Sequence, residues 1–283
     1  MIRILVVGST GVLGRNVLPR LVERGHQVRA IVRRPEQADM LNRMGVEPAM
    51  GDILRPDTLL AATSGCEAVL HLATAIPKAG RPQDWSLNDR IRREGTQNLL
   101  SACQKNKVDR YIQQSVTLVY GDQGSTQVDE THEMNPAPFV QSAADMEGLV
   151  QKSKLDWRIL RGGLFYGPGT WREEGWRQAA RDGSLRWPGD GNAYLSLIHV
   201  VDMARAVVLA VELADRKGIY NVVDDQPVTF KDLYRYIAAS VGGQEPCNGE
   251  EPALLSLSCS NRKIQSDLAW APAFSTFRSG LAA

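Results

Sequence analysis

Cysteine is scarce. The four that occur, Cys66, Cys103, Cys247 and Cys259, lie far apart with no C-x-x-C pair. Neither a zinc site nor a disulfide framework is indicated, so the thiols read as reduced and mostly buried, and no metal is expected. An excess of one charge is also missing, because 33 Lys plus Arg stand against 32 Asp plus Glu, a net charge of +1. Nothing in that balance suggests a nucleic-acid or membrane-surface footprint, and the expected partner is a small molecule. No apolar run approaches the roughly 20 residues of a spanning helix. The opening MIRILVVG is too short for a signal peptide and lacks its cleavage site. A cytoplasmic protein without a membrane span is expected.

What is present is enough apolar material, 43% of 283 residues, for a full globular core. Short β-branched runs alternate with longer helical patterns: 2–7 then 12–24, 27–32 then 36–44, 46–50, 68–72 then 85–105, and 110–114 then 139–152 and 157–160. Such alternation predicts an α/β fold, a parallel sheet covered by helices on both faces. From about Tyr166 the composition turns rich in tryptophan and glycine, which predicts an inserted cap. The expected division is a nucleotide-binding domain over 1–165, also using about 199–223, and a smaller substrate lobe from 166–198 and 224–283.

The stretch VVGSTGVLG sets Gly8, Gly11 and Gly14 at the end of the first strand and the start of the first helix. Glycines there let backbone N–H groups and the helix N-terminus approach a pyrophosphate unhindered, so Gly8, Ser9, Thr10, Gly11, Val12, Leu13 and Gly14 are the candidate cradle of a Rossmann-type, doubly wound fold. Sites that prefer NAD carry a carboxylate at the end of the second strand. Here Arg33 and Arg34 stand in AIVRRPEQ with no acid, which predicts NADP(H) over NAD(H). Asp52 and Ile53 in GDIL, and Ala73 and Thr74 in HLATA, are candidate lining residues for the adenine and ribose.

With these pieces, and with GTQNLL, SVTLVYG, LRGGLFYGPG and PGDGNAYLSLIHVVDMARA following in order, the chain resembles the short-chain dehydrogenase/reductase superfamily in its extended, epimerase/dehydratase-like form. The resemblance implies a Rossmann domain with a small C-terminal substrate lobe, and homodimers are frequent in the family. It also implies a Ser, a Tyr and a Lys for catalysis, helped by an Asn on the fourth helix. Matching Glu147 to the family's glutamate places Phe139 at the tyrosine and Ala143 at the lysine. The VYG match places Val116 at the serine, and GTQNLL places Arg92 at the asparagine. All have departed from the pattern, and no tyrosine lies between Tyr120 and Tyr166 to rescue it.

Hydride transfer belongs to the cofactor and depends on positioning, whereas losing a general acid costs about 10²–10⁴-fold. An iminium, a quinone or a conjugated enone needs little protonation and remains a suitable acceptor. Tyr120, Tyr166, Ser115 and Thr117 are the candidate substitute donors, each with a purely structural alternative. His199 reads as a hydrogen-bonded structural residue, and His26 and His132 as surface loop residues. Arg92, in DRIRRE, reads as solvent-facing, with a fixed cation for an anionic substrate or the ribose as the alternative. Trp171, Trp176, Arg177 and Trp187 are the candidate aromatic, partly cationic substrate wall, or else the core of the lobe. Two functions stay open: an atypical NADP(H)-dependent oxidoreductase with a non-standard proton source, or a catalytically inactive NADP(H)-binding redox sensor or assembly protein.

Overall fold

The computed structural model describes residues 1–77, 84–252 and 255–283. The chain forms two compact units: Met1–Ser115, Pro138–Leu160 and Ala204–Ile219 make the first, and Val116–Ala137, Arg161–Met203 and Tyr220–Ala283 the second. Val116–Ala137, expected in the nucleotide-binding half, groups with the second unit, where Gln127–Val128 pairs with Ser258–Cys259.

The first unit is Rossmann-type. Strands β1 (Arg3–Val7), β2 (Gln27–Val32), β3 (Glu47–Met50), β4 (Ala68–His71), β5 (Arg110–Val116), β6 (Asp156–Gly162) and β7 (Gly218–Val222) build a seven-stranded parallel sheet in the order β7-β6-β5-β4-β1-β2-β3. The last residues of β6 and β7 run on into the second unit. Ile4 of β1 is in register with Val28 of β2 on one side and Ala68 of β4 on the other. The strand order reverses there, which opens the crevice where open α/β sheets bind ligands. A strand covered on both faces must be apolar throughout. Ile4, Leu5 and Val6 are accordingly 0% exposed, each such side chain contributing about 2 kcal/mol of burial.

Around this sheet lie α1 (Val12–Glu23), α2 (Glu36–Arg43), α3 (Pro56–Thr63), α4 (Ser86–Arg90), α5 (Thr96–Lys105) and α6 (Gln141–Gln151). The single helix expected over 85–105 is interrupted, because a π-helical turn, Ile91–Gly95, joins α4 to α5. Gly95 closes that turn against Ile53, whose Cγ1 would be 3.0 Å from an added Cβ. The helix expected from 139 begins at 141. Pro136 and Pro138 resist helical backbone before them, and a 3₁₀ turn, Pro138–Val140, leads into α6.

In the second unit, Leu164–Tyr166 and Leu197–His199 pair in parallel. Helix α7 (Arg172–Arg181) follows. Helix α8 (Val200–Glu212) starts in this unit and ends in the first, then α9 (Phe230–Ser240), α10 (Arg262–Leu268) and α11 (Phe277–Leu281) complete the chain. Thr229 caps α9 by accepting from the Asp232 N–H at 3.1 Å. The core of the unit gathers Tyr166, Trp187, Leu197, Phe230, Leu233, Ile237 and Phe277. Among the described residues no helix is long and apolar enough to cross a membrane.

Candidate functional site

The glycine turn has no room for side chains. Gly8 has φ +93°, and an added Cβ would lie 2.6 Å from the backbone N of Ala73. At Gly14 the Cβ would lie 2.3 Å from the Gly8 carbonyl oxygen. The turn is held by the Gly11 N–H donating to Gly8 O at 3.1 Å, and the Ser9 hydroxyl donates to Ile31 O at 3.1 Å, tying it to β2. Gly8 and Ala73 therefore meet where β1 and β4 end, next to the N-terminus of α1, which has no side-chain cap. That combination fits a pyrophosphate. Leu13 is buried beneath it, and Thr74 is exposed at its edge.

Arg33 and Arg34 are both exposed past β2, and the Arg33 N–H donates to Gln37 Oε1 at 3.3 Å. Arg33, Met50, Gly51, Asp52, Arg55 and Thr58 line a cavity of about 270 Å³. Arg55 is a cation that the sequence reading missed, although its place just after GDIL was the available signal. Asp52 accepts from the Leu54 N–H at 2.9 Å. Ile53, expected against the adenine, is 6% exposed and belongs to the apolar core. Asn88 was missed as well: its Oδ1 accepts from the Ala75 N–H at 2.9 Å and fixes the loop after β4.

Of the positions that the resemblance sets at the catalytic residues, Arg92, Phe139 and Ala143 lie in the first unit and Val116 in the second. Phe139 is 43% exposed, with its ring 6.1 Å from that of Trp85, and Ala143 is 0% exposed. Arg92, expected to face solvent, is 6% exposed and donates to the Ser142 hydroxyl at 3.2 Å. The π-helical turn carries it inward, and burial lowers its pKa. Ser115 is 2% exposed and donates to the fully buried Glu147 at 2.6 Å. At the end of β4, His71 is enclosed, its Nδ1 2.9 Å from Gln113 Oε1 and 3.3 Å from Thr96 Oγ1. Burial drives the His71 pKa down to about 4, so the ring is neutral.

Val116 ends β5 and Thr117, 3% exposed, opens a 3₁₀ turn. The two candidate tyrosines are enclosed in the second unit. Tyr120 is 0% exposed, donates to Asn221 Oδ1 at 2.9 Å and lies under the Arg161 guanidinium, 4.6 Å from the ring centroid. Tyr166 is 0% exposed and packs edge-on to His199, ring centroids 5.2 Å apart. Burial raises both phenol pKa values. A general acid at neutral pH needs the opposite shift.

His199 accepts from the Val201 N–H at 3.3 Å. His26, expected on the surface, has a side chain only 6% exposed and lies 3.0 Å from Glu212. Of the expected aromatic wall, Trp187 is 6% exposed in the core, Trp176 packs on Tyr234, and Arg177 pairs with Glu173 at 2.9 Å. Trp171 is 78% exposed with φ 61°, a left-handed conformation at the entry to α7. Asp224, missed from sequence, is 1% exposed, and its Oδ2 has no partner among the described residues. Burial, then the nearby Asp225 and Asp202, push its pKa up to about 8.

A Rossmann sheet with such a cradle defines a protein that binds a pyridine nucleotide. The chain belongs to the NAD(P)H-binding family, whose model matches residues 8–184, and its fold and relatives place it among the atypical short-chain dehydrogenases/reductases. It is similar to a 3-diazoavenalumate denitrifying reductase of a Streptomyces species, 31% identical over an alignment that covers 99% of each chain. It is also similar to the photosystem II assembly factor Ycf39 of Synechocystis, 27% identical over 75% of this chain and 59% of that one. MoeE5, solved with UDP-glucuronic acid and NAD, shares the fold: TM-score 0.85 at 24% identity, covering 99% of this chain and 96% of that one.

Proposed function

We propose that the protein is an NADP(H)-dependent reductase whose acceptor takes a hydride without needing a proton on oxygen. The observation that carries this reading is the crowded glycine turn at Gly8 and Gly14; it is supported by Phe139 and Ala143 standing where the resemblance expects the proton-donating pair. The nicotinamide would supply a hydride. The chain's own part is to hold the pyrophosphate on the Gly8–Gly14 turn, to hold the extra phosphate by Arg33 and Arg34 with Arg55 beside them, and to present an apolar surface at Phe139.

Among acceptors, a diazo group fits best, since the Streptomyces relative carries a denitrifying activity by name. An arenediazonium, Ar–N₂⁺, that gains a hydride becomes Ar–N=NH, which loses N₂ to leave Ar–H. No oxygen is protonated at any stage, so a tyrosine would have nothing to do. Quinones, iminium ions and conjugated enones meet the same condition. The test is oxidation of NADPH followed by absorbance against a panel of these acceptors and of simple ketones. Turnover with the first group and not with ketones supports the reading; turnover with ketones alone overturns it.

A non-catalytic NADP(H)-binding sensor or assembly protein is the second reading. The likeness to Ycf39, with the lost tyrosine and lysine, favours it. Tight binding of NADPH with no oxidation by any acceptor would select it.

A further inference from the structure

Among the described residues, no carboxylate is within hydrogen-bond distance of the Arg92 guanidinium. Arg92 is 6% exposed, and among the described residues the one hydrogen-bond partner of its guanidinium is the neutral Ser142 hydroxyl. Asp89 attracts it only at longer range, and Arg93, paired with Asp145 at 2.7 Å, repels it. An arginine keeps its proton in proteins, and a buried charge without a counter-charge is costly. Such a group is stable when an anion completes it. Its position is also particular, because Ser142 adjoins Ala143, where the resemblance expects a lysine. The field of Arg92 reaches His71 at the end of β4, whose protonation it opposes. An apolar surface lies along the same two segments: Trp85, two turns before Arg92, meets Phe139, one turn before Ser142, with ring centroids 6.1 Å apart.

We propose that Arg92 is the recognition cation for an acceptor that carries a carboxylate on an aromatic or conjugated frame, with Trp85 and Phe139 against the frame. This rests on the reductase reading above and names its substrate class. A guanidinium presents a planar fork that matches a carboxylate through two parallel hydrogen bonds. A ribose hydroxyl would leave the charge unbalanced, and the cofactor phosphates belong to the Gly8–Gly14 turn.

The experiment uses the full chain saturated with NADP⁺ and titrated with cinnamate and cinnamamide, which share a shape and differ in charge. Cinnamate should bind at least about tenfold more tightly. The ratio should fall to near one in Arg92→Met and in Arg92→Gln, and survive in part in Arg92→Lys, with NADPH affinity unchanged in all three. Equal binding by the wild type, no binding of either probe up to about 10 mM, or an unchanged ratio in Arg92→Met and Arg92→Gln overturns the proposal and leaves Arg92 structural. If Arg92→Met does not fold, the Gln and Lys variants carry the comparison. Failure of the reductase reading is separate: charge discrimination would persist while no acceptor oxidises NADPH. Failure of this proposal alone would appear as turnover of neutral acceptors with no preference for carboxylates.

Discussion

Ser115 donates a 2.6 Å hydrogen bond to Glu147, and both side chains are buried. A hydroxyl adjoining Val116, where the resemblance expects a serine, is therefore held by a carboxylate inside the fold. Removing Ser115 takes a donor from a buried anion, so Ser115→Ala should lower stability by about 1–3 kcal/mol, and Glu147→Leu should cost a similar amount or more. The double variant should cost less than the sum, because the two share one interaction. Urea unfolding of the four proteins measures this, and simple additivity would mean the pair is uncoupled.

The nucleotide half was legible because its signals are local. Glycines at fixed spacing after a β-branched run report a turn whose geometry tolerates nothing else, as the close approach of Gly8 to Ala73 and of Gly14 to Gly8 shows. At the positions that the resemblance gives to catalysis, the sequence offered only residues that depart from the expected pattern. Burial of Arg92 depends on a π-helical turn that adds one residue to the helix and rotates the arginine inward. DRIRRE reads as a charged face in any straight helix, so that rotation has no sequence signature. Asp224 and Asn88 escaped for a related reason: each gains its role from chain distant in sequence or from enclosure, and a lone Asp or Asn carries no spacing to read.

Arg33 and Arg34 make the cofactor preference testable. Both are exposed at the end of β2, with Arg55 at the adjoining cavity. A charge-assisted hydrogen bond to phosphate contributes about 1.5–3 kcal/mol. Arg33→Ser with Arg34→Ser should weaken NADPH binding by about tenfold or more and leave NADH nearly unchanged. Fluorescence titration with both nucleotides decides it: equal losses would mean that the pair does not read the extra phosphate.

His71 predicts an acid-side loss of stability. Its folded pKa is about 4, against an ordinary 6.5, because the buried ring resists charge. Between those values the unfolded chain binds a proton that the folded chain refuses, so stability is complete above pH 6.5 and falls as pH drops toward 4. The loss should reach about 3 kcal/mol. His71→Met should be less stable at neutral pH, having lost the contact with Gln113, but its stability should decline less between pH 6.5 and 4. Parallel slopes in denaturant melts would rule His71 out as the cause.

Asp224 predicts the opposite slope. Its folded pKa is raised to about 8 from 3.8, with burial as the main cause. Between these values the folded chain holds a proton that the unfolded chain has released. Stability from this group is therefore present below pH 4 and is lost as pH rises toward 8, by about 5 kcal/mol at most. Asp224→Asn keeps the shape without the charge, so it should stabilise the protein at pH 8 and confer little below pH 4. A gain independent of pH would mean that the carboxyl is already ionised across the range.

Introducing the pair that the resemblance expects tests whether Ala143 and Arg92 are matched to each other. Phe139 is 43% exposed, so Phe139→Tyr adds a hydroxyl that water can reach, and its stability should stay within about 0.5 kcal/mol of the parent. Ala143 is 0% exposed and adjoins Ser142, which holds Arg92. A lysine there would bring a second buried cation toward the first. Ala143→Lys should thus destabilise by about 3 kcal/mol or more, and adding Arg92→Asn, the residue type the family resemblance expects at that position, should recover much of it. The measurement is thermal unfolding of Ala143→Lys with and without Arg92→Asn. If the lysine is equally damaging in both backgrounds, lack of space at 143 is the cause and the two cations do not compete. If Arg92→Asn rescues it, the arginine occupies the charge position that the lost lysine vacated.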